Sequence, residues 1–351
     1  MKYTRKLKLV SPRPSSIVNA LTVDVEDYFQ VSGFDSHIAR DAWERFPSRV
    51  QQNTMRLLDM FADRDLRATF FVLGWVAEHF PELVQTIRAA GHEVGSHSQM
   101  HRLVYDMSPA EFRADVRRSR DVLEQALSER VRIYRAPSFS ITRKSLWALE
   151  VLVEEGFEID SSIFPVRHDR YGIPDAEPTI HQIATPSGPI WEVPGTVVRR
   201  FGGNLPVSGG GYLRLLPLAL TKHWLRQINE REGRPFMCYV HPWEIDPKQP
   251  RLKIGSLLSR WRHYQNLDSC EAKLLSLLGE FQFDSLSNVV SNVAGATVPT
   301  AETQHRAAAD AETQHRPVAG EQTKPEGKST KPTSVKAPIH LPGDSGGRVL
   351  P

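Results

Sequence analysis

Between about Asn19 and Phe283, short β-rich runs alternate with longer segments of helical periodicity. This alternation is typical of βα units arranged around a largely parallel sheet or barrel. Gly91 and Gly156 stand where two of the helices would end. A doubly wound sheet and a closed barrel share this pattern, and both place their chemistry at the carboxyl ends of the strands. The strand candidates are Ala20–Val25, Ala68–Leu73, Glu93–Ser96, Val131–Tyr134, Phe157–Ile159, Ile190–Val193 and Phe236–Val240.

Composition is that of an ordinary globular protein, because 40% of the 351 residues are hydrophobic and 24% are charged. The net charge is only +3 and the cations are scattered among acids, so the chain lacks the basic footprint of a nucleic-acid-binding protein. Two cysteines, Cys238 and Cys270, are too few for a disulfide framework. No run approaches the roughly 18 apolar residues of a transmembrane segment.

The two ends of the chain differ in character from the middle. Residues 1–18 form a basic extension without an apolar stretch of signal-peptide length, so we expect a cytoplasmic protein, the inner face of the membrane included. Residues 292–351 are rich in Ala, Thr, Gln, Pro, Lys and Gly and contain the repeats Ala301–Arg306 and Ala311–Arg316. Too few large apolar residues are present there to offset the ordering entropy, which predicts a disordered tail after a domain spanning residues 19–291.

A pair of histidines, His97 and His101, lies four residues apart directly after the strand candidate Glu93–Ser96. Imidazole nitrogens and carboxylate oxygens are zinc ligands, and a catalytic zinc site typically has three protein ligands and one open position. The spacing alone is weak evidence in a chain with 13 histidines, where surface histidines are common. The pair therefore predicts a divalent metal site only together with a third ligand from elsewhere in the chain.

Three carboxylates, Asp24, Glu26 and Asp27, stand within four positions at the end of the first strand candidate. Such a cluster is unfavourable unless a cation compensates it, and a metal shared with His97 and His101 would lower the carboxylate pKa values. One carboxylate could then bind the metal while another acts as general base. The other interpretation is a solvated acidic turn or a helix amino-terminus.

Three further strand candidates lead into residues that could take part in chemistry, namely Arg135, Asp160 and His241. The guanidinium of Arg135 could brace a carboxylate through paired hydrogen bonds, although a surface salt bridge is the commoner role. Asp160 could orient an imidazole or cap the next turn. His241 follows the apolar strand Phe236–Val240 and could act as a general acid whose second nitrogen is held by a carboxylate, or be a buried structural histidine.

These motifs occur in the order found in polysaccharide deacetylases of carbohydrate esterase family four, the NodB-homology group, which the chain resembles from Leu21 to Asp284. They are the acidic run Asp24–Asp27 and the sequences Gly-His-Glu-Val-Gly-Ser-His-Ser-x-x-His, Arg-x-Pro, Asp-Ser-Ser and Val-His-Pro. Val-Asp-Val-Glu-Asp-Tyr-Phe, Asp-Ser-Ser-Ile-Phe-Pro and Ser-Gly-Gly-Gly-Tyr further resemble the subgroup associated with exosortase (PEP-CTERM) and exopolysaccharide loci. The resemblance implies an α/β fold, a distorted (β/α) barrel, and metal-dependent removal of acetyl groups from N-acetylated sugars.

The resemblance also implies roles for the histidine pair and the acidic run. His97 and His101 would bind a divalent ion, zinc in the first place and cobalt or nickel as substitutes, and Asp24 would be the general base. Family members commonly carry two adjacent aspartates, the second of which binds metal, whereas a valine follows Asp24 here. A related branch with its metal carboxylate two positions after the base points to Glu26, and the usual ligand type points to Asp27, so both are candidates.

On the opposite side of the substrate, the resemblance implies that His241 is the general acid and that Asp160 tunes it. Arg135 would brace the general base. The tetrahedral oxyanion would be held by the metal and by the backbone N–H of Ser138. Family members usually have an aromatic residue and a glycine after Arg-x-Pro, where Ser138 and Phe139 stand here. Substrate contacts above the metal are therefore expected to differ.

The expected partner is an N-acetylated carbohydrate, either a polysaccharide or a lipid-linked precursor that is modified before export. Trp191, Tyr212 and Trp243 could line a sugar-stacking groove, although core packing is the commoner role of such aromatics. Two other interpretations are hydrolysis of a small non-sugar amide, as in the allantoinase-like branch of the same scaffold, and carbohydrate binding without catalysis. The presence of both Asp24 and His241 disfavours the binding protein.

Overall fold

The computed structural model describes residues 17–295. The strands are β1 (Val18–Val25), β2 (Thr69–Val72), β3 (Glu93–Ser96), β4 (Ile133–Tyr134), β5 (Ile159–Asp160), β6 (His181–Thr185), β7 (Gly188–Glu192), β8 (Val197–Arg200), β9 (Gly203–Pro206), β10 (Met237–Val240) and β11 (Gln282–Asp284). The α-helices are α1 (Val50–Ala62), α2 (Gly74–His79), α3 (Pro81–Ala89), α4 (Pro109–Leu127), α5 (Trp147–Glu154), α6 (Gly210–Leu215), α7 (Leu218–Glu230), α8 (Leu257–Tyr264), α9 (Leu267–Leu278) and α10 (Leu286–Ala294). Short 3-10 helices span Arg40–Arg45, Val104–Asp106, Pro137–Phe139 and Pro242–Ile245.

The main sheet has the strand order β10-β1-β2-β3-β4-β5-β7-β6, and β11 pairs with the first residues of β1. Its pairs are parallel from β10 to β7, and β6 joins the edge in antiparallel orientation. The sheet is curled into a half barrel, which confirms the expected α/β fold with a distorted barrel. Because neighbouring parallel strands run in one direction, their carboxyl ends meet at one edge of the sheet.

The parallel strands β2 and β10 are buried on both faces, and their sequences are mostly apolar. Every residue of β2 and of β10 is buried. Parallel sheets covered by helices favour such continuous runs over an alternating pattern. The longest helix, α4, begins at a capping box in which Ser108 and Glu111 satisfy each other's backbone N–H groups. Positive φ angles of 84° at Gly91 and 85° at Gly156 confirm that these glycines follow helix ends.

Several elements differ from the sequence-based expectation. The strands β6, β8, β9 and β11 were not predicted, since β6 alternates half-buried with exposed residues and β9 is half-buried at most. The helix α10 extends to Ala294, so three residues of the segment expected to be a tail are helical. The rest of that segment, with its repeats, and residues 1–16 lie outside the described residues. Among residues 17–295, no helix has the length and apolar character required to cross a bilayer.

Candidate metal and acid–base site

The end of β1 places three carboxylates at the carboxyl edge of the sheet, and the structure separates them. Asp24 is the penultimate residue of β1, and Glu26 follows in a turn in which its N–H donates to the carbonyl of Asp24 at 3.0 Å. All three side chains, including that of Asp27, are buried. Their environments differ, however, and this difference decides which of them faces the histidine pair.

Glu26, His97 and His101 form a compact cluster of metal-binding side chains. One ligand atom from each lies within 4.8 Å of the others, and all three residues are buried. His97 follows β3 directly, and its Nδ1 lies 2.8 Å from the carbonyl oxygen of Arg135. His101 lies at the end of a loop with a left-handed backbone (φ 51°), and the side chain of Arg40 donates to its carbonyl oxygen at 3.2 Å. The loop is therefore fixed from both sides.

The donor set fits a zinc ion, which takes two imidazoles and a carboxylate in many catalytic sites. Glu26 Oε2 lies 2.7 Å from His101 Nε2, and His101 Nδ1 is buried without a hydrogen-bond partner among the described residues. Burial lowers the pKa of His97 to about 4, so its imidazole is neutral, as a metal ligand must be. Burial alone would raise the pKa of Glu26, but His101 and then His241 and His97 bring it well below its usual range.

Asp27 faces away from this cluster and caps α1 instead. Its Oδ2 accepts hydrogen bonds from Ser48 Oγ at 2.7 Å and from the backbone N–H groups of Arg49 and Val50 at 2.8 and 3.1 Å. Its Oδ1 accepts from the N–H of Tyr28 at 3.1 Å. Of the two carboxylates that the sequence left as candidates for the third ligand, the structure brings only Glu26 to the histidines. Asp27 instead accepts hydrogen bonds from the backbone at the start of α1.

Arg135 and Asp24 form a buried ion pair, as the sequence led us to expect. Arg135 is fully buried, and its Nη1 donates to Asp24 Oδ1 and to Thr22 Oγ1, both at 2.7 Å. Its guanidinium lies 4.2 Å from the centre of the Phe71 ring, and its Nη2 donates to Ser161 Oγ at 2.9 Å. One oxygen of Asp24 is thereby fixed, and the other faces the opposite side of the site.

That opposite side belongs to His241, which follows β10. Its Nε2 lies 3.8 Å from Asp24 Oδ2 and 3.7 Å from Glu26 Oε1. Its Nδ1 lies 2.9 Å from Glu244 Oε2, and the other oxygen of Glu244 accepts from Arg214 Nε at 2.7 Å. Burial alone would lower the pKa of His241, but Glu244 outweighs it and raises the pKa to about 9. A protonated imidazole therefore faces the general-base candidate and the metal cluster.

The structure places Glu244 beside His241 and gives Asp160 other partners. Asp160 accepts from Ser162 Oγ and lies beside Glu192, its register partner on β7. Burial is the main cause that raises the pKa of Asp160, to about 6, and the pKa of Glu192 is also raised. Glu244 holds the imidazole because the 3-10 helix Pro242–Ile245 folds it back onto His241. The spacing of three residues in His-Pro-Trp-Glu is the sequence signal that the expectation overlooked.

Of the aromatic candidates, the structure brings Trp243 to the cluster as a buried positioning residue. Its indole N–H donates to Glu26 Oε1 at 3.1 Å, and its ring stacks on His241 at 5.2 Å and on His263 at 4.3 Å. Only 6% of Trp243 is exposed, so its faces are occupied by protein rings. Trp243 therefore orients the carboxylate of Glu26. The sequence suggested a different role for it, stacking against a sugar.

The remaining candidates have other partners. The Tyr212 hydroxyl lies 2.9 Å from that of Tyr171, and Trp191 stands on β7 opposite Ile159. Both Tyr212 and Trp191 pack against a cluster of buried apolar residues, which is core packing. Ser138 has a left-handed backbone (φ 52°) in the 3-10 turn that follows Arg135, and its Oγ lies 2.7 Å from Ser32 Oγ.

Two family models match consecutive parts of the chain. Residues 37–153 match the model described as polysaccharide deacetylase. This match covers about a third of the chain. Residues 161–291 match a second model, described as a domain of unknown function, DUF3473. The deacetylase match contains His97, His101 and Arg135, and the second match contains His241 and Glu244. Asp24 and Glu26 precede both matches, so the site combines both segments with the end of β1.

The chain is also similar to curated deacetylases over part of their length. It is 31% identical over 98 residues to a peptidoglycan-N-acetylglucosamine deacetylase of Bacillus cereus, which covers 28% of this chain and 36% of that protein. It is 35% identical over 83 residues to a chitooligosaccharide deacetylase of Bradyrhizobium sp., covering 22% and 38% of the two chains. The chain thus spans less than half the length of these relatives.

A solved structure shares the fold over most of the chain. The crystal structure of a putative polysaccharide deacetylase from Mycobacterium smegmatis matches with a TM-score of 0.52 and 18% sequence identity. The match covers 85% of this chain and 99% of that one. At this level of identity the similarity is one of fold, and it extends over most of the chain.

Proposed function

We propose that the protein is a metal-dependent hydrolase that removes N-acetyl groups from an N-acetylated saccharide. The observation that carries this proposal is the arrangement of the cluster of Glu26, His97 and His101 beside a carboxyl group, Asp24, and an imidazole, His241. A divalent ion held by this cluster, zinc in the first place and cobalt or nickel as substitutes, would supply Lewis acidity toward the acetamide carbonyl and the attacking water. The donor chemistry of the cluster supports this assignment.

The side chains around the cluster divide the proton transfers between them. Asp24, with one oxygen fixed by Arg135, takes a proton from the attacking water through Oδ2. His241, held at Nδ1 by Glu244, donates a proton from Nε2 to the departing sugar nitrogen. The C–O bond forms first and gives a tetrahedral oxyanion, and the C–N bond then breaks as the nitrogen receives its proton, so that acetate and a free amine result. The backbone N–H of Ser138 is proposed as a donor to the tetrahedral oxyanion.

We further propose that the substrate belongs to exopolysaccharide biosynthesis and is a polymer or its lipid-linked precursor, met in the cytoplasm or at the inner face of the membrane. The exosortase-type motifs of the sequence support this proposal. Fractionation of the producing cells tests the location. Recovery of the mature protein wholly outside the cytoplasmic membrane would overturn it.

The activity is tested by acetate release from N-acetylglucosamine oligomers and from an extracted exopolysaccharide precursor. The protein is stripped of metal and then refilled with zinc, cobalt or nickel. We expect release that requires metal and leaves one free amine for each acetate. Release from small cyclic amides alone would favour the allantoinase-like alternative, and saccharide binding without release at a metal-loaded site would favour a binding protein. Either result would overturn the deacetylase proposal.

A further inference from the structure

The helix α8 exposes three large apolar side chains to solvent. Leu257, Leu258 and Trp261 are 77%, 54% and 55% exposed. Among residues 17–295 the other exposed large hydrophobic residues are scattered singly over the surface: Met55, Leu146, Phe201, Leu215 and Val293. Positions i, i+1 and i+4 lie on the same side of a helix, so the three side chains of α8 form one patch. Single exposed apolar residues are ordinary, whereas a contiguous patch indicates an interaction surface.

The patch lies in the most basic part of the described chain. Residues 247–267 contain no Asp or Glu and five cations: Lys248, Arg251, Lys253, Arg260 and Arg262. Within residues 17–295, no ion pair involves any of these five side chains. Lys253 and Arg262, on either side of the patch, are exposed. Since the whole chain carries a net charge of only +3, this concentration of unpaired positive charge is local.

The other side of α8 is fixed against the candidate active site. His263 is buried, and its ring stacks at 4.3 Å on Trp243, which donates to Glu26. Arg214, which also holds Glu244, donates through Nη1 to the carbonyl oxygen of His263 at 2.8 Å. The helix is thus a rigid support whose buried side touches the site and whose outer side presents the apolar patch. Whatever binds the patch is held close to the site.

We propose that α8 attaches the protein to an anionic lipid surface. Leu257, Leu258 and Trp261 would enter the boundary between headgroups and acyl chains, where leucine and tryptophan side chains bind favourably. The four exposed cations, Lys248, Arg251, Lys253 and Arg262, would contact the anionic headgroups. The combination of exposed aliphatic and indole groups with unpaired cations distinguishes this surface from one that joins two copies, since two equal patches would bring their positive charges together. Attachment would hold the site beside an acetylated saccharide carried on a lipid, and only this last step rests on the proposed function.

Flotation of the full chain with vesicles tests the attachment. We expect binding to vesicles of phosphatidylcholine mixed with phosphatidylglycerol, weaker binding to phosphatidylcholine alone, and loss of binding as salt concentration rises. The triple variant Leu257→Ser, Leu258→Ser, Trp261→Ser should bind the mixed vesicles at least roughly tenfold more weakly. Charge reversal by Lys253→Glu and Arg262→Glu should also weaken binding, and it leaves the apolar patch intact in case the triple variant does not fold.

Matched controls are Met55→Ser, which removes an exposed apolar side chain elsewhere, and Arg45→Glu, which reverses an exposed charge elsewhere. Both should bind vesicles like the unaltered protein. Acetate release from soluble oligomers should be unchanged in the α8 variants, so failure of the lipid proposal and failure of the deacetylase proposal give different results. The proposal is overturned if the unaltered protein does not float with mixed vesicles, or if the α8 variants float equally well. A concentration-dependent dimer that the triple variant abolishes would also overturn it.

Discussion

The fold brings together the metal cluster (Glu26, His97 and His101) and the general-acid pair (His241 and Glu244) in different ways. Glu26, His97 and His101 follow β1 and β3, two strands separated by β2, and they meet because parallel strands end at one edge of the sheet. His241 depends instead on Glu244, three residues further along the chain. The strand ends thus determine which residues distant in sequence meet. The 3-10 turn Pro242–Ile245 determines which carboxylate lies beside His241. The variants below test whether the two parts of the site have the roles that these contacts indicate.

Loss of a histidine from the metal cluster should have the largest effect. With His97→Ala or His101→Ala only two ligands remain, and we expect loss of bound metal and a fall in acetate release of roughly a thousandfold or more, which corresponds to several kcal/mol of lost transition-state stabilisation. Metal analysis and steady-state kinetics on the same preparations measure both quantities.

The matched control for this experiment is Asp27→Asn, which alters the carboxylate adjacent to Glu26. Because Asp27 caps α1, this variant should keep its metal and its activity and lose about 1 kcal/mol of unfolding free energy. Full activity in either histidine variant, or loss of metal from Asp27→Asn, would show that the cluster is assigned wrongly.

Asp24 separates base catalysis from metal binding. The variant Asp24→Asn can still accept the hydrogen bond from Arg135 but no longer takes a proton from water. We expect bound metal to be retained and kcat to fall by roughly 10² to 10⁴. Metal analysis decides the interpretation, because loss of metal would move Asp24 into the ligand set.

The acid side is tested by comparing Glu244→Gln with Asp160→Asn. If Glu244 holds His241 in place and keeps it protonated, Glu244→Gln should lower kcat by roughly 10- to 100-fold with little change in KM. Asp160→Asn should change kcat only by a small factor, since Asp160 pairs with Ser162 and Glu192. Circular dichroism checks that both variants are folded. The reverse order of effects would restore the role that the sequence suggested for Asp160.

The buried pair of Asp160 and Glu192 should affect stability rather than turnover. Burial raises the pKa of Asp160 to about 6 and raises that of Glu192, so the folded protein keeps protons that the unfolded chain releases. The stability from this pair is therefore full below the carboxyl pKa values of the unfolded chain and is lost as pH rises through the folded values. In Glu192→Gln, the unfolding free energy should decrease less between about pH 5 and pH 8 than in the unaltered protein, by on the order of 2 kcal/mol.

Urea denaturation at several pH values measures this difference. Glu155→Gln is the matched control of opposite sign, because hydrogen bonds from Arg117 lower the pKa of Glu155. Its removal should reduce the stability that the unaltered protein has above the carboxyl pKa of the unfolded chain. Equal pH dependence in the unaltered protein and in Glu192→Gln would contradict a shared proton at the pair.

The sequence was most informative where regular structure decides the position of a residue. The strand β3 has the predicted bounds, and the order of strand-end residues brought Asp24, His97 and Arg135 to one place. The roles of adjacent residues in an irregular turn were harder to predict. Glu26 and Asp27 differ mainly in the direction in which the turn points their side chains. Glu26 meets the histidines, whereas Asp27 meets the first N–H groups of α1.

The roles of Glu244 and Trp243 were also missed in the sequence, because neither residue stands in a periodic pattern. The short 3-10 helix that returns Glu244 to His241 leaves only a single spacing of three residues in the sequence, without a repeat that would mark it as an element. The role of Trp243 depends on three neighbours. Glu26 and His263 come from distant parts of the chain, and His241 lies two residues before Trp243. Burial and stacking of this kind are properties of packing, and they become visible only when the strands are assembled.

The most direct test of the account is anomalous diffraction from crystals of the zinc-loaded protein. The account predicts one strong peak bonded to Glu26, His97 and His101, with Asp27 still bound to the backbone of α1 and Glu244 still on His241. A peak bonded to Asp27, or full zinc loading without a peak at these three side chains, would contradict it.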